Sequence, residues 1–157
     1  MLSDMKEIEF DSLEKKINYK FKNRDILKKA VTHKTYAFEA QEPLEYNERL
    51  EFLGDSILNF IIAEMLYKSN KYFSEGELTR RRSIFVNNNY LAKIAKELDL
   101  GSYIILGRGE KKQNGEKNPT NLANTMEALI GAIYLDSNLK KVKNIILQLF
   151  IKENNEI

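Results

Sequence analysis

Apolar residues recur at three- and four-residue spacing along almost the whole chain, and no stretch sustains the alternation of a half-buried strand. The pattern predicts an all-α fold. Phe10 to Ile17 and Asp25 to Val31 read as two short helices, whereas Thr32 to Tyr46, aperiodic and containing Pro43, reads as a loop. A long helix follows from about Asn47 to Lys68. Ser74-Glu75-Gly76-Glu77 has the Ser-x-x-Glu form of a capping box and opens a helix toward Phe85; another helix runs from Asn88 to Leu98 and stops at Gly101. Gly107 to Asn118 is polar and glycine-containing, and reads as a second loop. Asn118-Pro119 supplies an N-cap and a proline at the first helical position for a helix through about Leu135, and Ser137 or Asn138 opens a last one to Lys152. With no internal repeat and no linker, the expectation is a single domain over residues 1–157 with its core at about 11–152.

Composition narrows the chemistry. A chain of 157 residues suits one domain with a sizeable core, and 43% hydrophobic with 31% charged residues is an ordinary globular balance. There is no cysteine, which excludes disulfides, thiolate metal sites and a Cys nucleophile, and leaves carboxylates and one histidine as metal ligands. The longest apolar run, Ala128 to Leu135, falls far short of the ~20 residues of a bilayer span, so no membrane segment is expected. The first ten residues, MLSDMKEIEF, carry three acids and no apolar signal core, and a cytoplasmic address is the default reading. Net charge is only +2, so a polyanion would have to be held by local patches.

On the long helix, Leu50, Leu53, Ile57 and Ile61 form a core stripe. Beside it Glu51 and Asp55 stand one turn apart, on a stripe that continues with Leu58 and Ile62. The two acids therefore share an inward-looking face, in competition with the plainer reading of a solvated one, and like charges at this spacing call for a compensating cation. The helix from Pro119 repeats the theme: Asn124 and Glu127 stand at (i, i+3), with Gly131 one turn further on, where another backbone can approach closely. Its other residues are mostly apolar, so Glu127 is an acid on a buried helix. A bound divalent cation would keep such a carboxylate ionised. Together Glu51, Asp55, Asn124 and Glu127 would form an oxygen-only site suited to magnesium, but periodicity cannot show that the two helices touch.

The run Asn47-Glu48-Arg49-Leu50-Glu51-Phe52-Leu53-Gly54-Asp55-Ser56-Ile57-Leu58 resembles the signature motif of the ribonuclease III nuclease domain. It is joined in order by Thr32-His33-Lys34-Thr35, by Ser74 to Thr79 with Arg82 and Val86-Asn87, by Leu106-Gly107-Arg108-Gly109-Glu110, and by Leu122 to Asp136. The resemblance covers roughly Leu13 to Phe150. It implies an all-helical, homodimeric endonuclease that cuts double-stranded RNA with magnesium, manganese being a likely substitute, and leaves 5′-phosphate and 3′-hydroxyl ends with short 3′ overhangs. By position, Glu51, Asp55 and Glu127 match the family's catalytic acids. Glu51, Glu127 and the Asn124 oxygen would hold the metal, and Asp55 would position a water or a second cation. Asn124 departs from the family's usual aspartate: the amide keeps a ligating oxygen and loses the charge. Because the other three acids are retained, it reads as a tolerated natural variant, against deliberate inactivation or decay into a weakened domain that only binds structured RNA or serves as an assembly partner.

Phe52 matches the aromatic that plugs into the partner subunit in the family's dimer; the plain alternative is an ordinary core phenylalanine. Glu77 matches an acid near the groove, and the capping box explains it equally well. Double-stranded RNA is read through phosphates and 2′-hydroxyls, so the candidate contacts are basic: Arg82 in the run Arg80-Arg81-Arg82, which also reads as a solvated helix face, and Arg108, Lys111, Lys112 and Lys117 beside glycines expected to expose backbone N–H groups. His33, with no second histidine to join it, reads as a hydrogen-bonded structural residue. The small net charge predicts weak, strongly salt-dependent RNA binding. In the commonest family members a double-stranded-RNA-binding domain follows at about this length; none is present in residues 1–157.

Overall fold

A computed structural model describes residues 8–151, in which nine helices run in chain order. They are α1 (Asp11–Ile17), α2 (Arg24–Ala30), α3 (Lys34–Glu39), α4 (Glu48–Ser69), α5 (Glu75–Val86), α6 (Asn88–Glu97), α7 (Arg108–Lys112), α8 (Pro119–Asp136) and α9 (Leu139–Phe150). Short 3₁₀ turns occupy Leu100–Tyr103 and Gly115–Lys117. Among the described residues there is no strand; a lone parallel bridge pairs Thr32 with Ile105.

Asparagine side chains start four of these helices. Asn23, Asn87, Asn118 and Asn138 each accept a hydrogen bond from a first-turn N–H of α2, α6, α8 and α9, satisfying donors that have no partner inside the helix. Asn87 also donates from Nδ2 to the carbonyls of Ser83 and Ile84, so one side chain ends α5 and begins α6. The capping box of α5 is formed: Ser74 Oγ accepts from the Glu77 N–H, and the Glu77 carboxylate accepts from the Ser74 N–H at 3.0 Å. The Ser74 N–H and hydroxyl, both donating to the Glu77 carboxylate, hold it below its usual range.

The core is built around α8. From Asn121 to Ile133 every residue except Asn124 is buried, because α4, α6, α2 and α9 pack on it from different sides. A helix covered on most sides must be largely apolar, which is what its sequence shows apart from the buried Asn121, Thr125 and Glu127. On α4 the stripe Leu50, Ile57 and Ile61 is buried as expected, and Leu53 is half-buried at its edge.

Two segments expected to be loops contain helix. Thr32 to Tyr46 includes α3, capped by His33, whose Nδ1 accepts from the Thr35 N–H; Gly107 to Asn118 includes α7 and the second 3₁₀ turn. Six and five residues are too few to show a period, and both pieces are held by polar contacts to distant parts of the chain. His33 is thus a helix cap, with burial pulling its imidazole pKa below the ordinary value. The expected end of the last helix at Lys152 lies outside the described residues.

Asp136, the last residue of α8, ties down the start of the chain. Its carboxylate accepts from the Tyr19 hydroxyl (2.6 Å) and from the N–H groups of Lys22 (2.8 Å) and Asn23 (3.0 Å). Burial and the bond to Asp136 push the Tyr19 phenol up to about 12. Burial works against the Asp136 charge, but the three donors prevail and hold its carboxyl below 3.8. We expect Asp136→Ala to lose about 2–4 kcal/mol in urea denaturation at pH 7, as three charge-assisted bonds go. Because the folded pKa is depressed, this contribution is present above pH 3.8 and fades as the pH falls through the folded value. The gap between parent and variant should therefore narrow in acid; a gap of constant size would contradict the assignment.

Candidate active site

The site grows from the crossing of α4 and α8. A Cβ added to Gly54 would lie 1.7 Å from the Glu127 carbonyl oxygen, and one added to Gly131 would lie 2.4 Å from that of Leu50. The two helix backbones are therefore in contact, which only glycine at both positions permits. This contact sets Glu127 of α8 against the turn of α4 that carries Glu51 and Asp55.

Glu127 is 8% exposed, Glu51 and Asn124 are half-buried, and Asp55 is exposed. The inward-looking face expected for both α4 acids is thus correct in part for Glu51 and wrong for Asp55. At 100° per residue Asp55 is turned about 40° from Glu51 and 60° from Leu58, enough to carry it from the core edge to solvent. There its carboxylate accepts from Asn59 Nδ2 at 2.9 Å.

Electrostatics mark the three acids as a group. Burial, then the charges of Asp55 and Glu51, push the Glu127 carboxyl up to about 8. Burial chiefly, with Glu48 and Asp55, also raises Glu51, against the pull of Lys34. The compensating cation expected from the like-charge spacing is not supplied by an ion pair, and Lys34 acts on Glu51 only from a distance. Among the described residues no lysine or arginine forms an ion pair with Glu51, Asp55 or Glu127; the nearby Lys34 is paired with Glu48 at 3.0 Å. By donor chemistry the set fits a hard divalent cation: all-oxygen, acidic and uncompensated. As the side chains stand, no three of the acidic or histidine groups among the described residues are gathered around one point.

The basic candidates separate into two places. Arg108, Lys111 and Lys112 lie on α7 and Lys117 on the turn after it, all exposed. The glycines beside them do not all expose free N–H groups, contrary to expectation. Gly107 is buried and donates to Thr35 Oγ1 (3.0 Å), the Arg108 N–H is taken by the Glu39 carboxylate (2.9 Å), and Gly115 is buried; Gly109 alone is exposed. Two of the backbone N–H groups on this segment are thus already taken, which shifts any polyanion contact toward the side chains. Arg82 is half-buried in a groove of about 530 Å³ between α4 and α5, with Phe60, Tyr67 and Leu78. That groove was missed in the sequence, where the seven-residue spacing of Phe60 and Tyr67 was its signal. Arg81 is not simply solvated either, since it stacks on Phe73 with its guanidinium 4.1 Å from the ring centre. Phe52 is 78% exposed on α4, so it is not a core residue.

A family model described as Ribonuclease-III-like matches residues 23–154. The crystal structure of the nuclease domain of ribonuclease III from Campylobacter jejuni superposes with a TM-score of 0.86 at 37% identity, covering 98% of this chain and 99% of that one. The chain belongs to the ribonuclease III family. A second structure of the Campylobacter nuclease domain, described for structural flexibility in the region involved in dimer formation, matches with a TM-score of 0.85 at 36% identity over 90% of this chain and 96% of that one. Ribonuclease 3 of Buchnera aphidicola subsp. Acyrthosiphon pisum is 46% identical over 153 residues, which are 98% of this chain and 65% of that protein. The chain thus spans less than two thirds of the length of this ribonuclease III relative. No described helix is long and apolar enough to cross a membrane.

Proposed function

We propose that this ribonuclease III domain is a divalent-cation-dependent endonuclease that hydrolyses phosphodiester bonds of double-stranded RNA in cytoplasmic RNA processing. The observation that carries the reading is the uncompensated trio Glu51, Asp55 and Glu127, with the Glu127 carboxyl raised to about 8 in the protein alone. A carboxyl buried beside two other acids is a candidate cation ligand, because a bound cation would offset the cost of its charge. Glu51, Glu127 and the Asn124 side-chain oxygen would hold magnesium or manganese, which when bound supplies charge neutralisation at the scissile phosphate and a more acidic water. Glu127, fixed on the most buried helix, would orient the group; Asp55, exposed and hydrogen-bonded to Asn59, would meet water or substrate at the solvent side. The expected products carry 5′-phosphate and 3′-hydroxyl ends. A homodimer would set two such sites on one duplex, and the exposed Phe52 supports that assembly, as does the dimer-forming region of the Campylobacter relative.

The test is incubation of a long RNA duplex with the chain and Mg²⁺ or Mn²⁺. Cleavage abolished by a chelator is the expected result; no metal-dependent cutting with either ion would sink the nuclease reading. Asn124→Asp restores a fourth charge, and we expect it to lower the Mg²⁺ concentration for half-maximal cleavage by about tenfold, since affinity at such sites follows ligand charge.

A further inference from the structure

Asn121 is a buried polar residue that the chemistry above does not use. It lies on α8, one turn before Asn124, 8% exposed, and its Nδ2 donates twice: to Glu110 Oε1 at 2.7 Å and to the Gly115 carbonyl at 3.0 Å. These two acceptors belong to the segment bearing Arg108, Lys111, Lys112 and Lys117, and the Asn121 side chain also meets the His33 imidazole that caps α3. From the other side, α3 grips the same segment through Thr35 Oγ1 and the Glu39 carboxylate, which accept from the N–H groups of Gly107 and Arg108.

A helix of five residues has no stability of its own, and α7 has no buried residue to anchor it. Its position is therefore set by these polar contacts and by the preceding Ile105 and Leu106, which pack against the core. Asn121, Asn124 and Glu127 climb α8 in three-residue steps, each turned by about 60° and raised by about 4.5 Å. One rigid helix thus carries both the candidate metal residues and the side chain that holds the basic segment.

Building on the nuclease reading, we propose that Asn121 is a positioning residue: it clamps the basic segment from Arg108 to Lys117 at a fixed offset from the acidic site, so that its cations meet duplex phosphates while a scissile phosphate sits at Glu127. A duplex is recognised by shape, so cations at the wrong offset gain little. The clamp acts on binding and leaves chemistry alone.

The experiment is a double-mutant cycle on duplex RNA, with affinity measured in Ca²⁺ and cleavage in Mg²⁺. Asn121→Ala should raise Kd and KM by about tenfold with kcat within about twofold of the parent. In a background with Arg108→Ala, Lys111→Ala, Lys112→Ala and Lys117→Ala, the same change should cost nothing more, because the groups it positions are gone. An unchanged Kd for Asn121→Ala would overturn the proposal, as would a penalty that persists in the four-alanine background or falls on kcat. If Asn121→Ala misfolds by circular dichroism, Glu110→Gln, which weakens the same bond from the surface side, takes its place in the cycle. A parent that binds duplex but cuts none in either metal refutes the nuclease reading, while the binding cycle still decides the clamp. A parent that does not bind duplex refutes both.

Discussion

Gly54→Ala should unfold the domain at room temperature. The added methyl would sit 1.7 Å from the Glu127 carbonyl oxygen, 2.6 Å from its carbon and 3.0 Å from the Gly131 nitrogen, all backbone atoms in the middle of the most buried helix. No rotamer change relieves such a contact; α4 and α8 must separate, opening the interface that buries Leu50, Ile57, Leu58 and Ile61. Ordinary overpacking costs about 1–3 kcal/mol, and here the cost should exceed that range, against a total stability of about 5–15 kcal/mol for a domain. Gly76→Ala is the control, with nothing within 4 Å of the new methyl and a position in the first turn of α5. It should be neutral or stabilise by up to about 1 kcal/mol. Circular dichroism and urea titration of the pair check this; a Gly54→Ala protein of parental stability would mean that the helices do not touch.

That contact also marks the boundary of what the sequence could reveal. Helices whose identity rests on periodicity and caps are legible: α4, α5, α6, α8 and α9 begin and end within a residue or two of where the pattern puts them, apart from the expected end of α9, which is not described. The short helices α3 and α7 are not, since what orders them is a set of bonds between residues some 70 positions apart, such as Thr35 with Gly107. At the site, spacing brought Glu51 and Asp55 onto neighbouring positions of one helix and made Glu127 an acid on a buried one. That the two helices face each other was supplied by the family resemblance, and the physical cause, paired glycines at the crossing, needs both partners to be seen at once. Asp55 misled because a stripe of three- and four-residue steps winds around a helix, so an apolar continuation further along does not bury every earlier member. The Asn121 clamp left no trace at all, because its partners on α7 and the turn are recognisable only once those pieces have structure.

Glu127→Gln should do two opposite things. Cleavage of duplex RNA should fall on the order of a thousandfold or more, as expected for losing a charged ligand at a metal-assisted centre. The metal-free protein, in contrast, should become more stable at pH 8. The Glu127 carboxyl ordinarily titrates at 4.5 and is raised to about 8 in the fold, by burial and by Asp55 and Glu51. Between those values the folded protein holds a proton that the unfolded chain has released, so stability falls as the pH rises from 4.5 toward 8 and levels off above. Glutamine has no proton to lose and escapes the decline. In chelator, parent and variant should be alike near pH 4.5 and differ by a few kcal/mol at pH 8, with the variant ahead. Saturating Mg²⁺ at pH 8 should then stabilise the parent and leave the variant nearly unmoved. Equal stabilities at pH 8 in chelator would show that the carboxylate is already compensated in the protein, and would remove the physical basis for a cation at this position. A side chain that weakens the resting fold and yet is required for cleavage is one whose charge is balanced only when the site is loaded.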